Sequence, residues 1–132
     1  MIGYTMVGVS SIEKSSQFYD TLFAEIGAKR QVELDDFVLW TTGQGKPSFA
    51  IGVPYNGNPA TVGNGVMFAF PVAARDDVHR IYDLMLENGA TCDGGPGERG
   101  GKFYMAYFRD PDGNKLAIYK YEGENKEAYE FF

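Results

Sequence analysis

Few residues of this 132-residue chain are of the types that do chemistry, and their spacing limits them further. His79 is the only histidine. It stands in a helical pattern beside the apolar stripe of Val78, Ile81 and Tyr82, where it reads as a surface residue rather than a base or ligand. Cys92 is the only cysteine. It cannot form an internal disulfide, which suits a reducing compartment, and it reads as a small buried thiol with no histidine to activate it. The run Gly94-Gly95-Pro96-Gly97-Glu98-Arg99-Gly100-Gly101 lacks the Lys-Ser/Thr of a phosphate loop and does not lead into a helix, so it reads as a mobile loop at a pocket mouth. Acid-base work would fall to Tyr, Asp, Glu or Lys with shifted pKa values. Glu98 and Asp112 are carboxylates that loops could contribute to an unconventional site, while Arg109 reads as structural or solvated.

The elements that must position these groups follow from periodicity and turn residues. Tyr4 to Val9 has the composition of a strand. Ser10 followed by Glu13 is a capping-box pattern. Phe18, Tyr19, Leu22, Phe23 and Ile26 then recur at helical spacing and Gly27 supplies a stop, predicting a helix over 12–26. Arg30 to Leu34, Phe37 to Thr42 and Ser48 to Val53 read as antiparallel strands, and Pro54 to Asn64 as an exposed connection. The plan then repeats. Val66 to Pro71 reads as a strand and Arg75 to Glu87 as a helix, with Asp76 and Asp77 in its first turn. Asn88-Gly89 is its stop, and strands follow at Thr91 to Cys92, Phe103 to Arg109 and Lys115 to Tyr121. Asp110-Pro111-Asp112-Gly113-Asn114 is a turn between the last two. The expectation is one α+β domain over 1–132, built as module one (about 1–57), module two (about 62–121) and a tail (122–132). Two such sheets can curl into a shared concave surface, a binding cavity whose ligand the periodicity does not identify.

Apolar residues make up 44% and aromatics 15%, enough for a core in a chain of this length. The net charge is −6, from 18 acidic and 12 basic residues. The basic residues form no phosphate-neutralising stripe, so nucleic acid is excluded as a partner. No apolar run reaches the roughly 20 residues of a membrane span. The expectation is therefore a soluble cytoplasmic protein.

Three segments taken together carry a resemblance: Gly8-Val9-Ser10-Ser11-Ile12-Glu13-Lys14-Ser15 with Phe18-Tyr19; Val66 to Pro71 with the helix ending at Asn88-Gly89-Ala90; and Tyr107-Phe108-Arg109-Asp110-Pro111-Asp112-Gly113-Asn114. Together the set resembles the vicinal oxygen chelate superfamily, which includes glyoxalases, bleomycin-resistance proteins and extradiol dioxygenases, from Met1 to about Tyr121. The resemblance implies two tandem β-α-β-β-β modules forming a U-shaped mixed sheet around a pocket, with the helices outside, commonly as a homodimer. In metal-dependent members a divalent ion binds two adjacent substrate oxygens there, as Lewis acid and template.

Carried across residue by residue, the family's metal positions fall on Tyr4, on Gly52 (or Ala50 in an alternative register), on Gly65 and on Ala117. Glycine and alanine offer no donor and tyrosine is an infrequent ligand, whereas a divalent site needs three or four converging N or O donors. The chain is therefore expected to hold no metal and no cofactor. Taking these positions as inward markers puts Tyr4, Met6 and Gly8, then Gly65, Met67 and Ala69, then Lys115, Ala117 and Tyr119 on the pocket side. Trp40, Phe49, Phe68, Tyr104 and Tyr107 suit either pocket wall or core, with parity placing Phe68 under the second helix. The expected ligand is a small, partly aromatic molecule, held by shape and by Tyr4, Met6, Gly52, Gly65, Met67, Ala117 and Tyr119. Two alternatives stand beside it: a lyase or dioxygenase with an unconventional site, and a structural or regulatory dimer with a vestigial pocket. The tail, charged and then bearing Tyr129, Phe131 and Phe132, reads as either a docking segment or disorder.

Overall fold

The computed structural model describes residues 1–124, so Tyr129, Phe131 and Phe132 of the tail lie outside the described residues. The chain divides into two compact units, Met1–Asn64 and the residues from Gly65 onward. Each unit has the same plan. The first contains β1 (Tyr4–Gly8), α1 (Ile12–Glu25), β2 (Lys29–Glu33), β3 (Phe37–Thr41) and β4 (Ser48–Gly52), and the second β5 (Phe68–Pro71), α2 (Arg75–Glu87), β6 (Thr91–Arg99), β7 (Phe103–Arg109) and β8 (Lys115–Tyr121). The sheets have the orders β1-β4-β3-β2 and β5-β8-β7-β6, and in both the first strand lies parallel to the last while the other pairs are antiparallel. The architecture is α+β with two tandem β-α-β-β-β modules. Among the described residues no helix is long and apolar enough to cross a membrane.

In the first unit α1 covers one sheet face with aromatic rings. Tyr19 and Phe23 lie 5.9 and 5.4 Å from Trp40, and 5.1 and 5.4 Å from Phe49, centroid to centroid. All four side chains are buried. This is core rather than pocket wall, and rings of this size dominate burial energetics. The edge of the cluster is tied by Asp20, which accepts the Trp40 indole N–H at 2.8 Å and two N–H groups of Arg30 at 2.9 and 2.6 Å.

The start of α1 differs from expectation. The capping residue is Ser11, not Ser10: its hydroxyl accepts the Lys14 amide at 3.2 Å, and its backbone is extended. With Ile12 as first helical residue, Ser10 lies one position too early, and Glu13 acts by its charge in the first turn. At the other end Glu25 is the last helical residue, Gly27 has φ +76° and the Ala28 amide reaches back to the Phe23 carbonyl at 2.9 Å, so Ile26 caps the helix instead of extending it.

In the second unit α2 packs Val78, Ile81, Tyr82 and Met85 over Phe108, Leu116 and Ile118. Strand β5 begins at Phe68, so Gly65 and Met67, expected on the fifth strand, precede it. The largest difference is β6. Gly94 to Arg99 of the glycine-rich run, expected as a loop after a two-residue strand, instead complete the nine-residue strand Thr91–Arg99, with register shifts between Cys92 and Gly94 and between Gly94 and Gly97. The bulges absorb what regular pairing would not tolerate: Gly95 and Pro96 stand opposite no β7 partner, so the proline's missing N–H costs no ladder bond. Cys92, expected buried, is exposed.

The Asp110–Asn114 turn is built around the buried Asp110 carboxylate. One oxygen accepts the amides of Asp112 and Asn114, both at 2.9 Å, and the other accepts the Asn114 side-chain amide at 2.9 Å. This turn fixes the entry of β8 and hence the register of Ala117 and Tyr119.

Candidate functional site

Paired residues on neighbouring strands share a sheet face. In the first unit Tyr4, Met6 and Gly8 pair with Ser48, Ala50 and Gly52, and Leu39 and Phe37 continue the same rows. This is the face opposite α1. Tyr4 and Met6 are more than half exposed, and Tyr4 meets Phe37 edge-on at 6.0 Å. Ala50 is fully buried. Gly52 is not open space: a Cβ there would come within 2.7 Å of Met6 Sδ, so the missing side chain accommodates the thioether.

In the second unit the corresponding face carries Phe103, Met105 and Tyr107 of β7 opposite Tyr121, Tyr119 and Ala117 of β8. These six form one cluster, Phe103 and Tyr107 half-buried and the rest buried. The Phe103 ring lies 5.8 Å from Tyr119 and 5.1 Å from Tyr121, and the Tyr107 hydroxyl is 3.5 Å from Met105 Sδ. Burial raises the Tyr119 phenol above its usual value, so it stays protonated as a neutral donor through the physiological range. Tyr107 is flanked by cations. The Lys115 ammonium stands 4.9 Å and the Arg99 guanidinium 5.6 Å from its ring centroid. Lys115 and Arg109 share the Asp93 carboxylate at 3.2 and 3.1 Å, and Lys115 foremost holds its pKa below the usual value.

The two units can be compared through one pair of matching bonds. The Val9 amide donates to the Gly52 carbonyl at 3.0 Å and the Val72 amide to the Tyr119 carbonyl at 2.8 Å. This equivalence matches Tyr4 with Met67 and Ala117 with Ala50. Gly52 then corresponds to Tyr119, and Gly65 to Ile2 outside the strand. A symmetric set of inward positions is therefore Tyr4, Ala50, Met67 and Ala117, of which sequence reasoning gave Ala50 only as an alternative. Gly65 is exposed with φ +94°. Neither set supplies His, Cys, Asp or Glu, and among the described residues no three such side chains are grouped to hold a metal ion. These positions do not fit the family's divalent cation.

The remaining chemistry-bearing residues lie elsewhere. His79 is exposed on α2, with Nε2 2.6 Å from the Tyr104 hydroxyl. Tyr104 pairs with Lys120 and so belongs to the helix side of the sheet. Glu98 bonds Arg75 at 2.9 Å and the Arg75 guanidinium caps the Tyr104 ring at 4.4 Å, which leaves neither for the open face. The Tyr82 hydroxyl foremost, and after it the Gly94 amide, which donates to the sulfur at 3.4 Å, hold the Cys92 thiol below its ordinary pKa. In the first unit a cleft of about 330 Å³ lies between α1 and β2–β3, lined by Ile12, Glu13, Ser16, Arg30, Glu33 and Val38. The guanidinium there is already engaged by Asp20 and Glu33.

Two helix-covered mixed sheets, each with one face free of its own helix, define a duplicated α+β protein of the glyoxalase-fold class. The chain belongs to the glyoxalase/bleomycin resistance protein/dioxygenase superfamily, whose family model matches residues 1–118. Among solved structures it is similar to a glyoxalase/bleomycin resistance protein from Albidiferax ferrireducens, with 33% identity, TM-score 0.82, and coverage of 91% of this chain and 98% of that one. A glyoxalase/bleomycin resistance protein/dioxygenase family enzyme from Burkholderia phytofirmans matches at 18% identity and TM-score 0.73, over 90% and 97% of the two chains, a likeness of fold. A hypothetical protein from S. aureus matches at 25% identity and TM-score 0.70, over 91% and 96%. No curated protein matches.

Proposed function

We propose that this chain binds a small, partly aromatic organic molecule without the aid of a metal ion, and that the open face of the second module is its principal contact surface. The observation that carries this reading is the cluster of Phe103, Met105, Tyr107, Tyr119 and Tyr121 around Ala117, at the place where a metal-dependent relative would need a carboxylate. Aromatic and thioether groups hold flat ligands by stacking and adaptable contact, and the alanine in their midst offers no donor where a ligating side chain would stand. Tyr4 and Met6 offer a second apolar surface of the same kind.

The reading is tested by a thermal-shift screen with planar aromatic compounds, repeated after dialysis against chelator. The expected result is a rise in melting temperature for a subset of compounds, unchanged by the chelator and lost in Tyr107→Ala. No stabilising compound, or stabilisation that disappears with the chelator, would refute it.

A further inference from the structure

The glycines of β6 have a purpose that composition alone hides. Gly94 pairs with Tyr107, and a Cβ on Gly94 would stand 2.9 Å from the Tyr107 ring. Gly97 pairs with Met105 on the same face, and a Cβ there would stand 2.7 Å from Arg99 Nη1. The strand edge is thus a side-chain-free floor on which one aromatic ring and one guanidinium lie down. Arg99 is oriented there by two carbonyls, Gly95 at 2.8 Å and Glu98 at 3.1 Å. Two of its five N–H donors are used, three remain, and among the described residues no carboxylate pairs with it.

Charge at this place runs against the rest of the chain. Around Tyr107 stand Arg99, Lys115 and Arg109 against one carboxylate, Asp93, in a protein of net charge −6. A local excess of positive charge beside a half-buried aromatic surface favours an anion with an apolar body, because its ring can lie on Phe103 and Tyr107 while its acid meets a pre-oriented fork. We propose that the open face of β6–β8 selects an aromatic carboxylate, with Arg99 receiving its charge and Gly94 and Gly97 keeping Tyr107 and Arg99 in place. This rests on the ligand-binding reading above and adds the class of ligand.

The test measures binding of 1-naphthoate, 1-naphthamide and 1-naphthylmethylamine by NMR titration to the whole protein, to Arg99→Met, to Arg99→Lys and to Gly97→Ala. Wild type is expected to bind the carboxylate about tenfold more tightly than the amide, the scale of one charge-assisted pair, and the amine more weakly still. Arg99→Met should erase the preference, bringing carboxylate binding down to the level of the amide, and Arg99→Lys should restore part of it. Gly97→Ala, which keeps the charge and displaces the guanidinium, should reduce it. Equal binding of carboxylate and amide by wild type, or a preference that survives in Arg99→Met, overturns the inference and leaves the ligand-binding reading standing. If none of the three binds wild type, both fall.

Discussion

The two modules share a topology and differ in which sheet face carries the larger aromatic cluster. In the first, Tyr19, Phe23, Trp40 and Phe49 lie between helix and sheet, while the other face holds Ala50 and Gly52 beside Met6 and the single aromatic pair Tyr4–Phe37. In the second, the space beneath the helix is filled by Val78, Ile81, Met85, Leu116 and Ile118 with Tyr82 and Phe108, and four rings lie on the face away from the helix, Tyr119 and Tyr121 buried and Phe103 and Tyr107 half-buried. An aromatic ring sealed beneath a helix can only stabilise; one on a face without a helix can also meet a ligand. The duplication thus supplied two equivalent scaffolds, and side-chain placement made the first an anchor and the second a surface with chemical character.

The largest effect expected from this contrast is on stability. Trp40→Ala should cost about 3–5 kcal/mol in urea unfolding, the range for deleting a buried large aromatic, whereas Tyr107→Ala on the open face should cost about 1 kcal/mol and remove ligand binding. Equal losses for the two would break the comparison. Next is Asp20→Ala, expected to lose about 1–3 kcal/mol, because the Trp40 indole N–H and the Arg30 fork lose their shared acceptor. Its pH dependence sharpens the point. Arg30 first, and Trp40 after it, hold the Asp20 carboxyl below its ordinary value of 3.8. A depressed folded value means that the unfolded chain takes up the proton first as pH falls, so the contribution is complete above about pH 4 and is lost as pH drops through the folded value. The stability gap between wild type and Asp20→Asn should accordingly narrow from pH 7 to pH 3. A gap constant over that range would remove the carboxylate's charge from the account. The smallest effect belongs to the second module: Tyr82→Phe should change stability by no more than about 1 kcal/mol while moving the pH profile of Cys92 alkylation by iodoacetamide upward, since the hydroxyl that most lowers the thiol's pKa is gone. An unmoved profile would show that Tyr82 does not hold the sulfur.

Element order and the duplicated plan were legible in the sequence because the apolar stripes of both helices and the Asp110–Asn114 turn are local signals. The helix cap slipped by one residue because Ser10 and Ser11 are chemically alike and only the backbone of Ser11 decides between them. The Gly94–Gly101 run misled for a physical reason: glycine and proline mark loops by propensity, yet here they serve a bulged strand, where the missing side chains and the unpaired positions are what the neighbouring β7 requires. Arg99 was passed over with that run. The signal that would have found it is the pattern itself, a glycine every second or third residue opposite a strand of large aromatics. The inward positions on β1 and β8 followed from strand parity, whereas Gly65 could not be placed because β5 starts three residues later.

We propose above that this member of the superfamily recognises an organic molecule without a cation. Metal content by mass spectrometry addresses it most directly, on tag-free protein purified without chelator and re-challenged with zinc, manganese, iron, nickel and cobalt. Every metal is expected to stay far below one ion per chain. Near-unit stoichiometry for any of them would contradict the proposal and require a donor set outside Tyr4, Ala50, Gly52, Gly65, Met67 and Ala117.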